Sequence, residues 1–150
     1  MEVFRITLKK WSDTLQPSGY AARWNSNGNF MLYTSSSRAL STLENIVHRS
    51  GEGLNKSFKC MVIRVPDEIT LLDIKLDDLR EDWYKYKNYK YSQTLGDKWI
   101  KEGKSAIMRI PSAIIKKESN YLLNPRHPDF SKIKIISIED FDFDPRIAKS

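Results

Sequence analysis

Two sets of residues carry the chemistry that this sequence could support. The first runs from Arg23-Trp24-Asn25 through Gly28 and Leu32-Tyr33-Thr34-Ser35 to a helical stretch that holds Glu44 and ends near His48. The second runs from Ile110-Pro111-Ser112-Ala113 through Asn120-Tyr121-Leu122-Leu123-Asn124-Pro125 to His127-Pro128. Together they bring an anion-binding guanidinium, aromatic rings, a helix carboxylate and small polar groups into one short chain. A guanidinium grips phosphate through paired, charge-assisted hydrogen bonds. A carboxylate stabilises positive charge as it develops on a neighbouring centre. These groups suit a charged nucleotide in which one bond is to be labilised.

Each residue also has a purely structural explanation. Arg23 could pair with an acid, Trp24 and Tyr33 could be core or rim aromatics, and Asn124-Pro125 could be a turn. Glu44 follows Leu40 by four residues and precedes His48 by four, which sets it at the margin of a packed helix face. A carboxylate there is either a flanking salt bridge or part of a cleft. Other chemistries lack their signatures: there is no Gly-rich phosphate loop, no paired Cys and no two-His helix motif. With His48 and His127 alone, no metal site is expected. Ser112, His127 and Asp129 could be written as a triad, but nothing like a nucleophile elbow surrounds Ser112. Cys60 lies in the apolar run from Phe58 to Val65 and reads as a buried structural thiol. The stretch Tyr84-Lys85-Tyr86-Lys87-Asn88-Tyr89-Lys90-Tyr91 could stack on bases and neutralise phosphates. Alternatively its tyrosines cover the edge of the core while its lysines face water.

The elements that must position these groups follow from periodicity and punctuation. The 150 residues fit one domain, 1–150, and 40% hydrophobic content supports an ordinary core. The net charge of +6 favours anionic partners without choosing among them. No apolar stretch is long enough to cross a bilayer and the start does not read as a signal peptide, so the expected location is cytoplasmic. Strands are predicted at Val3–Leu8, Phe30–Thr34, Phe58–Val65, Ile69–Ile74, Ala106–Ile110, Ile114-Ile115 and Ile133–Ile138. The strands on either side of the Pro66-Asp67 turn suit the interior of a sheet. Thr14–Asn29 is a loop. A helix capped by Ser36 or Ser37 runs to about Arg49, with Ala39, Leu40, Leu43, Ile46 and Val47 as its apolar stripe and Gly51 and Gly53 ending it. A second helix spans Ser92–Glu102. This pattern predicts an α+β fold with a mixed or antiparallel, split sheet and a few helices.

The run Arg-Trp-Asn, Gly, Leu-Tyr-Thr-Ser, Ala-Leu, Leu-Glu and His, then Pro-Ser-Ala and Asn-Tyr-Leu-Leu-Asn-Pro with His-Pro, resembles the RES domain. That family is named for its Arg, Glu and Ser residues and supplies the toxin of bacterial RES–Xre toxin–antitoxin modules. The resemblance extends from Phe4 to about Phe141, with the motifs in the family's order. It implies a compact fold similar to the ADP-ribosyltransferases. It also implies cleavage of the nicotinamide–ribose bond of NAD+, by a glycohydrolase or phosphorylase. The alternatives are ADP-ribosyl transfer to a protein and a non-enzymatic RNA-binding module built on Tyr84–Tyr91. Matched by motif, Arg23, Tyr33, Glu44 and Ser112 are the implied catalytic residues, and Arg23, Trp24, Tyr33, Ser112 and Asn124 the implied NAD+ contacts. Ser119 competes with Ser112 for the serine. Two departures are Thr14–Gly19 in place of a longer loop and Ile110 where Val is expected. NAD+ enters as substrate and not as cofactor, with water, phosphate or a protein side chain as acceptor. The implied partner is an Xre-like helix-turn-helix antitoxin that covers the cleft in a hetero-oligomer, leaving no direct DNA contact and no membrane contact to this chain.

Overall fold

The computed structural model describes residues 1–50 and 52–149, and arranges them as one seven-stranded sheet with two α-helices. In chain order these are β1 (Glu2–Leu8), β2 (Leu32–Ser35), α1 (Arg38–Arg49), β3 (Phe58–Arg64), β4 (Leu71–Asp73), α2 (Tyr89–Glu102), β5 (Ile107–Pro111), β6 (Ser119–Leu123) and β7 (Lys134–Phe141). The spatial order is β4-β5-β6-β2-β1-β3-β7. β4 runs parallel to β5, and all other neighbours are antiparallel. The α+β class and mixed sheet match the expectation.

Residues paired across antiparallel strands share a face. Phe4 pairs with Ser35, Ser35 with Asn120, and Asn120 with Ile110, so these four point to one side. Both helices cover that side. α1 packs on β1 and β2, where Ile46 meets a core of Phe4, Ile6, Phe58, Cys60 and Val62. α2 brings Trp99 and Ile100 onto Met108, Ile110 and Leu122. On the opposite side Val3, Leu32, Met61, Ile63, Ile107 and Leu123 are sealed by Ile69, Ile133, Leu15 and Phe130.

The sheet is pinched between its two halves. β1 and β2 share a single registered pair, Phe4 with Ser35. Beyond it the backbone of Ile6 has no β2 partner, and α1 supplies one: Ser41 Oγ accepts from the Ile6 N–H at 3.0 Å, and Asn45 Nδ2 donates to the Ile6 carbonyl at 3.0 Å. The predicted apolar stripe of α1 is corrected accordingly. Leu40 is buried and Leu43 and Ile46 are half-buried, but Ala39 and Val47 are exposed, because Ser41 and Asn45 turn toward β1. Ser37 is the cap, its Oγ accepting from Leu40 N–H at 3.0 Å. The helix closes on Ser50 at φ +53°, while Gly51 lies outside the described residues.

Other expectations shift for local reasons. Ile114-Ile115 is a turn and not a strand, since both N–H groups bond to Ser112 Oγ. β4 is an edge strand rather than an interior one, because the chain after Pro66 crosses to the far side of the sheet. β6 is a strand that the sequence pattern does not predict. α2 begins at Tyr89, three residues before Ser92. Cys60 is buried, as expected, and burial pushes its thiol pKa up.

Candidate active site

The carboxylate of Glu44 sits at the pinch, where α1 overhangs β2 and β6. Two neutral donors converge on one of its oxygens: Ser112 Oγ at 2.8 Å and Asn120 Nδ2 at 2.6 Å both reach Oε1. No hydrogen bond from the described residues reaches Oε2. Glu44 is therefore not the flanking salt bridge that its helix position allowed. Ser112 is wholly buried at the end of β5, and its hydroxyl accepts from the N–H groups of Ile114 at 3.0 Å and Ile115 at 3.1 Å. With its lone pairs used, its proton is committed to Glu44. Asn120 is held from behind by Ser35, whose Oγ donates to Asn120 Oδ1 at 2.7 Å. Ser119 begins β6 opposite Pro111, and Ser112 is the serine that bonds the acid.

Tyr33 stands two residues before Ser35 on the same face of β2, about 7 Å along the strand. Its hydroxyl donates to Asn25 Oδ1 at 2.6 Å and accepts from Trp24 N–H at 3.0 Å. Burial, only partly opposed by the Trp24 N–H, pushes Tyr33 well above the ordinary tyrosine pKa and keeps it neutral. It can pack against a ring or donate a proton in a hydrogen bond, but it is no anionic base. Asn25 in turn ties the loop together through Nδ2, which donates to the carbonyls of Tyr20 at 2.9 Å and Asn29 at 3.0 Å.

Arg23 is placed by α2. Ser92 Oγ donates to the Arg23 carbonyl at 2.6 Å, Gln93 Nε2 to the Ala22 carbonyl at 2.9 Å, and Asp97 accepts from the Ser26 N–H at 3.0 Å and its hydroxyl at 2.6 Å. Gly96 allows this approach, since a Cβ there would lie 1.7 Å from the Trp24 carbonyl oxygen. The guanidinium stacks 4.7 Å from the centre of the Tyr89 ring and 5.9 Å from that of Trp83, and Nη1 donates to the Tyr84 carbonyl at 2.9 Å. Its remaining N–H groups meet no acceptor among the described residues, which leaves half a fork for an anion. Trp24, expected to contact NAD+, is buried in the α2 core instead, with its N–H donated to Tyr33 and its carbonyl against Gly96.

Asn124 is not brought to Glu44. It lies past the far end of β6, four residues from Asn120, and borders a cavity of about 700 Å³ also lined by Asp97, Lys98, Lys101, Arg126 and His127. Its Oδ1 accepts from Arg126 N–H at 3.0 Å, the turn that is its structural alternative, while Nδ2 is buried without a partner among the described residues. His127 shares that end, its Nδ1 accepting from Asp129 N–H at 3.1 Å, so the triad with Ser112 is not assembled. His48 is exposed at the end of α1, and no cluster able to hold a metal occurs among the described residues. Most of the Tyr84–Tyr91 rings are engaged: Tyr84 and Tyr91 pack on the α2 core, and Tyr89 lies under Arg23. Tyr86 projects outward at 83% exposure. The site residues that sequence reasoning missed are Asn120, Ser35 and Tyr89. Their signal was present in part, since Tyr33 and Ser35 are two apart on a strand and Asn120 opens the Asn-Tyr-Leu-Leu-Asn motif.

Residues 2–144 match the family profile described as RES domain. A Sphingobium protein named "Prs ADP-ribosylating toxin" is 34% identical over 130 residues, which is 85% of this chain and 80% of that protein. A Photorhabdus laumondii protein named "Toxin Res" is 32% identical over 157 residues, covering 100% of this chain and 99% of its own length. One chain of the crystal structure of the M. tuberculosis MbcT-MbcA toxin-antitoxin complex superposes with a TM-score of 0.77 at 16% identity, over 99% of this chain and 86% of that one. That likeness is one of fold, and the sequence matches establish kinship: the chain belongs to the RES domain family.

Proposed function

We propose that the chain is a toxin that cleaves NAD+ between nicotinamide and ribose. The observation that carries this proposal is the Glu44 carboxylate, held at Oε1 by Ser112 and Asn120 with Oε2 unbonded among the described residues, on the same sheet face as Tyr33. As the C1–N bond breaks, its electron pair leaves with nicotinamide and positive charge develops on the ribose, giving an oxocarbenium-like transition state. A fixed carboxylate facing that ring, or bonded to its hydroxyls, stabilises the charge as it forms. Arg23 binds the diphosphate with the unengaged part of its fork, and Tyr33 orients the nicotinamide end as a neutral group. Water then yields ADP-ribose and a proton, whereas phosphate yields the 1-phosphate of the same ribose. Asn124 binds NAD+ only if the dinucleotide extends toward the far end of β6.

The name of the Sphingobium relative favours a second reading, in which the acceptor is a protein side chain. The toxin-antitoxin complex found among similar folds and the names of the Res relatives support an antitoxin partner. That this partner is Xre-like and that the chain acts in the cytoplasm are part of the proposal. No helix among the described residues is long and apolar enough to cross a membrane. The test is nicotinamide release from NAD+ by the purified chain, beside incorporation of label from NAD+ into protein. Release without a labelled band supports hydrolysis or phosphorolysis, and a labelled band supports transfer.

A further inference from the structure

Glu44 is gripped asymmetrically, and the second grip comes from a residue that the motif match does not place among the site residues. Asn120 Nδ2 lies 2.6 Å from Glu44 Oε1, a shorter contact than the 2.8 Å from Ser112. A primary amide can present either end, and the two ends are nearly the same shape. Turned the other way, Asn120 would set a carbonyl oxygen against a carboxylate oxygen. The carboxylate, an acceptor only, forbids that turn, and Ser35 completes the bonding of the amide so set: it is Asn120's cross-strand partner, is 4% exposed, and donates to Oδ1 at 2.7 Å. The hydrogen bonds therefore run in one direction, from the Ser35 hydroxyl through the amide to Glu44. They cross from β2 through β6 to α1 at the place where the sheet has a single β1–β2 pair and least backbone bonding of its own.

We propose that Asn120 is a positioning residue which, anchored by Ser35, holds Glu44 with Oε1 occupied and Oε2 presented to the ribose. The proposal rests on the NAD+-cleaving role given to Glu44. Ser112 alone leaves the carboxylate free to rotate about its hydrogen bond, and Asn120 removes that freedom. Misplacement of a reacting group by about 1 Å can cost on the order of 100-fold in rate. Such a residue acts on the transition state, so its loss lowers kcat and kcat/KM together and leaves KM nearly unchanged.

The experiment is steady-state nicotinamide release by wild type, Asn120→Ala, Ser35→Ala, Ser35→Thr and the Ser35→Ala/Asn120→Ala double variant, with a melting midpoint for each. Asn120→Ala is expected to lower kcat about 100-fold with KM held within about threefold. Ser35→Ala is expected to lose about tenfold, and Ser35→Thr, which keeps the hydroxyl, to recover it. The double variant should be no slower than Asn120→Ala, because both changes cut one chain of bonds. If Asn120→Ala fails to fold, the Ser35→Ala and Ser35→Thr pair decides. Wild-type kcat in the single alanine variants, a loss confined to KM, or additive losses in the double variant overturns the proposal while the NAD+ cleavage stands. A folded wild type that releases no nicotinamide overturns both.

Discussion

Arg23 is the residue whose side-chain type the site uses most fully. Stacking on Tyr89 and bonding to the Tyr84 carbonyl take one face and one N–H of the guanidinium, and the proposed function assigns the rest of the planar fork to phosphate oxygens. Arg23→Lys keeps the charge and loses both the fork and the stack. It is expected to raise KM for NAD+ about tenfold, roughly 1.4 kcal/mol of binding, with a smaller change in kcat. An unchanged KM would remove Arg23 from diphosphate binding. At this scale the candidate residues are legible in the sequence, because Arg23, Tyr33, Glu44 and Ser112 can each be named from motif position. Their contacts are not. Nothing in the order of residues says that Asn120 would reach Glu44 while Asn124, four residues on, would face a cavity at the other end of the strand. That depends on where β6 pairs with β2 and β5, and register is a tertiary property.

At the scale of elements, α2 does for the Arg23 loop what α1 does for Glu44. Gly96 is the contact that admits the loop, since any Cβ would enter the Trp24 carbonyl. Gly96→Ala favours the helix by intrinsic propensity, yet is expected to cost a net 1–3 kcal/mol through overpacking. It should also weaken NAD+ binding through Arg23 while the Ser112 and Asn120 bonds to Glu44 persist. A higher melting midpoint with unchanged KM would refute this view of the docking. Strong periodicity made β1, β3 and both helices readable. Ile114-Ile115 misled because two β-branched residues look like a strand, whereas the buried Ser112 hydroxyl captures their N–H groups and makes a turn. β6 was hidden by its mixed composition, Ser119 and Asn120 before Tyr121, Leu122 and Leu123. Its polar end faces the site and its apolar end the core.

Across the whole molecule, one ion pair ties the edge strand β4 to the sheet. Arg109 donates to Asp73 at 2.9 Å across the parallel β4–β5 ladder, and this bond holds the Asp73 carboxyl below the usual carboxylate range. A carboxyl whose pKa is lowered on folding adds stability above its unfolded pKa, near 4, and loses it as pH falls through the folded value. The pair is partly exposed, so Asp73→Asn is expected to cost only about 1 kcal/mol near pH 7. The gap to wild type should close below about pH 4, as thermal melts across pH would show. A gap constant with pH would mean that Asp73 acts by packing alone. The family match establishes kinship, while the proposed reaction depends on Glu44. The most direct measurement is nicotinamide release from NAD+ by the purified, partner-free chain, with and without phosphate, beside Glu44→Gln. Wild type is expected to release nicotinamide, and Glu44→Gln to lose about 100-fold or more with a melting midpoint within a few degrees of wild type. Equal release by the two proteins, or none from folded wild type under either condition, would contradict the proposed reaction.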